Sequence, residues 1–242
     1  MGILAEIISS LAGDAPVKEV RIGPFWTAVW SRRCGLASTT LTYEHHGSLF
    51  PVGEAGNLTS KSALELSRYA ASDSLIERAL ALAAVNSLLE VDPTRCRQAN
   101  AADVLAEWGK DKRVCVVGHF PFVPRLKKVA RELSVLERRP LSGDLPASEA
   151  ESVIPEADVV AITGTALING SMEKLLALCS PGALVMVLGP TTPLSSVWFA
   201  HGVRFISGTR VTDPALVLRL VSEGVTFQQL HGRGVELLTM EA

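Results

Sequence analysis

From residue 112 onward the chain alternates short apolar runs with amphipathic stretches, and no other feature constrains its fold as strongly. RVCVV (113–117), SVLER (134–138), DVVAI (158–162), ALVMVL (183–188) and VRFI (203–206) read as strands. The stretches 123–132, 170–179, 194–200 and 213–223 read as the helices between them. Near-continuous apolar strands separated by helices predict a parallel sheet covered on both faces. The expected architecture is α/β, a Rossmann-like doubly wound sheet over residues 96–242.

Residues 1–95 predict a smaller α+β domain in front of it. An amphipathic helix opens the chain and ends near Gly13. KEVRIGPFWTAVWS and GLASTTLTY give two or three short strands, rich in Val, Ile, Thr and Trp and broken at Gly23-Pro24 and Cys34-Gly35. SLIERALALAAVNSLLE is a strong helical stretch that stops before Asp92-Pro93. A further short helix is expected over 100–108.

Composition removes several classes of function. With 48% hydrophobic residues and a net charge of −2 the chain is not disordered, and no basic excess exists to neutralise nucleic-acid phosphates. The four cysteines form no CxxC pair, and Cys115 and Cys179 lie in apolar stretches, which fits a reduced, cytoplasmic protein. The opening MGILAEIISSLAGDA lacks a basic n-region and carries Glu6, so it reads as a helix and not a signal peptide. The uncharged run 175–203 is cut by Pro181-Gly182, Gly189-Pro190 and Pro193, and no membrane partner is expected. His45-His46 beside Glu44 resembles a metal-ligand pair, but adjacent strand residues point to opposite faces and a surface turn fits better. No metal site is expected. Homo-oligomerisation is expected only because it is common among soluble proteins.

Four strands end alike, in VVGHFP, AITGTA, VLGPTT and FISGTR. Each apolar run meets a glycine (Gly118, Gly164, Gly189, Gly208), followed by residues suited to a ligand. In open parallel sheets the ligand crevice lies beyond the carboxyl ends of the strands, so these loops share one edge. The first loop lacks the G-x-G-x-x-G fingerprint, and Phe120, Pro121 and Pro124 fill the space of a diphosphate. Ordinary NAD is therefore not expected, whereas a different nucleoside-containing cofactor such as S-adenosylmethionine stays open. His119 at the strand tip is either an acid–base group or a residue that holds the loop. Glu137 ends the second strand 19 residues after Gly118, where Rossmann domains place a ribose-binding carboxylate; the alternative is a solvated cluster with Arg138 and Arg139.

Thr163, Gly164 and Thr165 follow the third strand, and Asn169 is placed to cap the next helix. Backbone N–H groups, hydroxyls and a helix N-terminus together suit a carboxylate or phosphate. In LGPTTPLS, Pro190 and Pro193 stiffen a loop carrying Thr191, Thr192 and Ser195. No G-x-S-x-G elbow, Walker loop or H-E-x-x-H motif is present.

GHFPFVPRLK, VLERRP, IPEADVVAITGTALINGS and LGPTTPLSSVWFAHGV, in this order, resemble the putative heavy-metal chelation family, a domain of unknown function. GPFWTAVWS and CGLAST look like the enolase-N-terminal-like domain that precedes it in such proteins. The resemblance implies a cleft lined by both domains, and a role in handling or making metal-chelating small molecules. On its motifs fall His119, Phe120, Glu137, Thr163, Gly164, Thr165, Asn169, Gly189, Pro190, Thr191 and Thr192, with Thr27, Cys34, Gly35 and Ser38 from the leading domain. Ala166 and Thr191 stand in loops where relatives are expected to be more polar or smaller. Two functions follow. One is an enzyme performing transfer, condensation or hydrolysis on a pterin-, flavin- or chelator-like metabolite. The other is a binding protein for a metal–chelate complex, suggested by the lack of a recognisable nucleophile–base pair.

Overall fold

The computed structural model describes residues 2–40, 52–91, 93–97 and 99–242. After a first helix, α1 (Ile3–Ser9), three strands form an antiparallel meander: β1 (Glu19–Ile22), β2 (Trp26–Trp30) and β3 (Cys34–Ser38). Helices α2 (Ala63–Ser67) and α3 (Leu75–Leu88) follow. The first helix stops at Ser9, short of the expected Gly13.

The remainder builds an eight-stranded sheet from β4 (Cys96–Arg97), β5 (Arg113–Val117), β6 (Glu132–Glu137), β7 (Leu145–Pro146), β8 (Val159–Thr163), β9 (Leu184–Leu188), β10 (Phe205–Val211) and β11 (Val235–Glu241). Its order is β4-β11-β10-β9-β8-β5-β6-β7. From β7 to β10 all neighbours are parallel, while β11 runs antiparallel to both β10 and β4. The parallel part winds outward in both directions from β5, so β5 and β8 flank a topological switch point, where open α/β sheets bind ligands.

Alternation along each strand assigns the two faces. Val114 and Val116 of β5, Val159 and Ala161 of β8, and Met186 and Leu188 of β9 pack with α4 (Ala101–Trp108) and α5 (Val123–Leu126). Cys115, Val160, Ile162, Val185 and Val187 face the other way, into a core shared with α6 (Ala150–Val153), α7 (Met172–Leu178) and α3. Period-2 burial on both faces is what a doubly wound sheet requires.

Helix α3 joins the two sheets. Its residues Ala79 to Val85 are all fully buried, and a helix apolar on every side belongs inside a protein. Small side chains let it approach β3 closely: a Cβ on Gly35 would lie 2.2 Å from the Ala83 carbonyl oxygen and 2.4 Å from the Ser87 nitrogen. The far face of the meander, Trp26, Ala28, Cys34 and Leu36, packs on α8 (Pro214–Ser222). The small sheet is thus held between α3 and a helix contributed by the large-sheet half.

Several boundaries differ from the sequence reading. The helix expected over 123–132 ends at Leu126, because the chain must turn back for the Arg131 amide to reach the Lys112 carbonyl (2.9 Å) and start β6 at Glu132. The stretch 194–200 forms a 3-10 helix, Ser196–His201. Gly208 does not end a strand; it lies inside β10, where its missing side chain makes room for Leu194 and the Thr192 carbonyl oxygen (2.9 Å from a Cβ placed there).

Candidate functional site

A cavity of about 1300 Å³ opens at the carboxyl ends of β5, β6, β8 and β9. Its floor is the switch point itself. Gly118 follows β5 with φ +100°, and a Cβ there would meet Thr163 Cβ at 3.1 Å and the Phe120 ring at 3.3 Å. Gly189 follows β9 with φ +110°. Glycine is needed at both turns because the left-handed backbone strains any other residue. The Phe120 ring passes 3.9 Å from where a Gly189 side chain would begin, and it stacks on Phe122 with centroids 5.0 Å apart. Trp26 of the small sheet and Phe227 of α9 (Phe227–Leu230) form a second aromatic wall, with centroids 6.0 Å apart.

At the β5 and β6 tips three ionisable side chains meet. Glu137 accepts hydrogen bonds from the His119 amide (Oε2, 3.1 Å) and the Arg138 amide (Oε1, 2.7 Å). The His119 ring turns to Asp144, with Nδ1 3.2 Å from Oδ1 and 2.9 Å from Oδ2. The Asp144 side chain is only 4% exposed and the His119 ring 37%, so the carboxylate stands behind a ring that ligands can reach. Arg138 and Arg139 line the cavity beside them and form no ion pair with any described residue. Asp144 was not singled out from the sequence, since nothing local links it to a residue 25 positions earlier.

The TGT loop is knit together internally. Thr163 Oγ1 accepts from the Thr165 amide (3.3 Å) and lies 3.0 Å from Thr165 Oγ1. Asn169 lines the cavity but does not cap α7. Ser171 occupies the N-cap position, and Asn169 Oδ1 instead accepts from the Ser171 amide (3.0 Å) and hydroxyl (2.6 Å). Across the cavity, the loop after β9 is tied to β3. The Ser38 amide donates to Thr191 Oγ1 at 2.9 Å, and Thr191 Oγ1 donates to Ser38 Oγ at 3.1 Å. Asn86 of α3 donates to the carbonyls of both Leu36 (2.9 Å) and Thr191 (3.2 Å).

Gly118, His119, Phe120, Glu137, Thr163, Thr165, Asn169, Gly189, Pro190, Thr191 and Ser38 therefore border one space. Five candidates lie elsewhere. Gly164 and Thr192 pack on each other, a Gly164 Cβ falling 2.4 Å from Thr192 Oγ1. Thr27 is fully buried and lies 3.0 Å from Thr39 through the two hydroxyls. Gly35 is the close approach to α3, and Cys34 is buried against α8. Burial, aided by the Glu19 carboxylate, pushes the Cys34 thiol up to about 12; burial does the same for Cys115. Both stay protonated at neutral pH and act as small apolar groups. The Glu44-His45-His46 cluster lies outside the described residues.

Sheet order, switch-point glycines and the cavity above them define a Rossmann-like α/β protein fused to a small antiparallel α+β unit. By sequence the chain belongs to the putative heavy-metal chelation family: one model of that description matches residues 100–240 and a second matches residues 5–89. An uncharacterized protein of Methanocaldococcus jannaschii is 28% identical over 205 residues, covering 80% of this chain and 77% of that one. A crystal structure of a DUF364-family protein of unknown function from Desulfitobacterium hafniense superimposes with a TM-score of 0.85 at 26% identity, covering 99% of this chain and 98% of the other. A second DUF364 structure, from Pyrococcus horikoshii, gives 0.81 at 20% identity, again over 99% and 98%, and supports the fold.

A heavy metal held directly by side chains does not fit the described residues. No group of three or more His, Cys, Asp or Glu among them is placed to ligate an ion. No cysteine lines the cavity, and the Cys34 and Cys115 thiols are not available as soft thiolate ligands. No helix of the described residues is long and apolar enough to cross a membrane.

Proposed function

We propose that this chain is an enzyme acting on a small polar organic molecule, one that binds a metal or is a precursor of such a chelator. The observation that carries this reading is the convergence of His119, Glu137, the TGT loop and the GPTT loop on one large cavity at the switch point. The aromatic surfaces of Phe120 and Trp26 suit a planar heterocycle of the pterin or flavin type. Threonine hydroxyls and the Arg138–Arg139 pair suit its polar and anionic substituents. His119 serves as acid–base group, and Glu137 orients a polar group of the ligand or the ribose of a nucleoside-containing cofactor. Metal chelation belongs to the ligand in this reading, since the cavity offers no ligating cluster of its own among the described residues.

A non-catalytic carrier of a metal chelate is the second reading. It is favoured by the His119 ring, whose hydrogen bonds run to a carboxylate and not to a serine or cysteine nucleophile. His119→Ala separates the two. The enzyme reading expects turnover to be lost while affinity changes by less than about tenfold, or roughly 1.4 kcal/mol. A carrier shows no turnover with any ligand that binds, and the variant only weakens affinity.

A further inference from the structure

We propose that Asp144 is a positioning residue that fixes neutral His119 as the Nδ1–H tautomer, presenting Nε2 to the ligand as a proton acceptor. This rests on the reading of the cavity as a small-molecule site.

The carboxylate is set in place by its own turn, through hydrogen bonds that do not involve the histidine. In Leu141-Ser142-Gly143-Asp144 the Asp144 amide donates to the Leu141 carbonyl (3.0 Å) and the Leu141 amide donates back to Asp144 Oδ2 (3.0 Å). Gly143 closes that turn with φ +94°, a conformation natural only to glycine. The backbone of His119 is fixed separately, by the β5 tip and by Glu137 Oε2 on its amide (3.1 Å). Glu137 at the end of β6 thus holds the His119 backbone, and Asp144, in the turn before β7, holds its ring.

The chemistry of the contact decides the tautomer. An ionised carboxylate offers only lone pairs, so the ring nitrogen 2.9 Å from Asp144 Oδ2 must carry the proton. In a neutral imidazole the other nitrogen, Nε2, then holds a free lone pair. Asp144 does not border the cavity, whereas His119 does, so Asp144 acts only through the ring. In the resulting step Nε2 takes a proton from an acidic N–H or O–H of the bound molecule, and the electron pair stays on the ligand heteroatom. The imidazolium is stabilised by Asp144, which remains ionised, and the proton later returns to product or solvent. The substrate class is accordingly a planar heterocycle with an exchangeable ring N–H or enolic O–H.

Nitrogen-15 NMR of the imidazole tests this on ligand-free protein, with the His119 signals identified by their loss in His119→Gln. At a pH where the ring is neutral, the native protein is expected to carry the proton on Nδ1. Asp144→Ala should shift the population to Nε2–H, the form an isolated histidine side chain prefers. Asp144→Asn keeps one oxygen to accept from both the Leu141 amide and Nδ1–H, which guards against collapse of the turn, and should retain the Nδ1–H form. Native His119 found as Nε2–H, or Asp144→Ala folded with the native tautomer, would overturn the proposal. Because no ligand enters, a cavity that binds nothing would defeat the functional reading while leaving the tautomer result intact.

Discussion

Thr191 and Ser38, 153 residues apart, exchange two hydrogen bonds, of 2.9 and 3.1 Å, across the join between the small and the large sheet. The neighbouring Thr192 is equally buried, yet its Oγ1 has no hydrogen-bond partner among the described residues. Adjacent threonines therefore have opposite energetic signs. Removing the Thr191 hydroxyl leaves the Ser38 amide unpaired, at a cost of about 1–3 kcal/mol, whereas removing that of Thr192 relieves an unpaired polar atom. Urea unfolding should show Thr191→Val destabilised by that amount and Thr192→Val stabilised by about 1 kcal/mol. Equal losses in both variants would contradict the assignment.

Gly35 is a packing residue. Its Cβ would stand 2.2 Å from a backbone oxygen of α3, and backbone cannot step aside as a side chain can. Gly35→Ala should cost about 3 kcal/mol or more through overpacking. Gly182 has nothing within 4 Å, so Gly182→Ala is the matched control and should unfold like the parent protein. Thermal melts of the two variants decide the point, and a Gly35→Ala melt at the parent temperature would refute it.

The buried thiols give a pH dependence whose sign is fixed. The Cys34 and Cys115 thiols ionise near 9.0 when unfolded and at about 12 when folded. The folded state favours the protonated form, so this contribution is fully present below pH 9 and is lost as pH rises toward 12. Unfolding midpoints should fall across that window, and iodoacetamide at neutral pH should label both residues only after denaturation. Labelling of folded protein at the rate of a free thiol would contradict the burial.

Much of this was legible in the sequence because it was local. RVCVV followed by glycine is an apolar strand with a forced turn, and β5, β8 and β9 appear within a residue or two of the expected spans. The helices expected over SLIERALALAAVNSLLE and 100–108 form as α3 and α4, where the structure shows Ser74 and Asn100 accepting at the first turns. The antiparallel β11 escaped notice because VELLTME has no continuous apolar run. The short α5 escaped because a strand start, set by the sheet, overrode its helical pattern. At the site, Gly118, His119 and Glu137 were found at strand tips. Asp144 and the Thr191–Ser38 seam were not, since both depend on turns that bring distant chain segments together. Gly35 and Cys34 carried family motifs, yet their place is the core between the small sheet and its two covering helices.

The most direct test of the central claim, that the β-strand tips enclose a small-molecule site, is native mass spectrometry after incubation with a cell's metabolite fraction. Thr165, which lines the cavity and is half-buried, is the position at which to fill it. The native protein should retain a discrete organic adduct, with or without its own metal, and Thr165→Trp, folded, should retain none. Native protein that carries no adduct, or the same adduct on both proteins, would contradict the account.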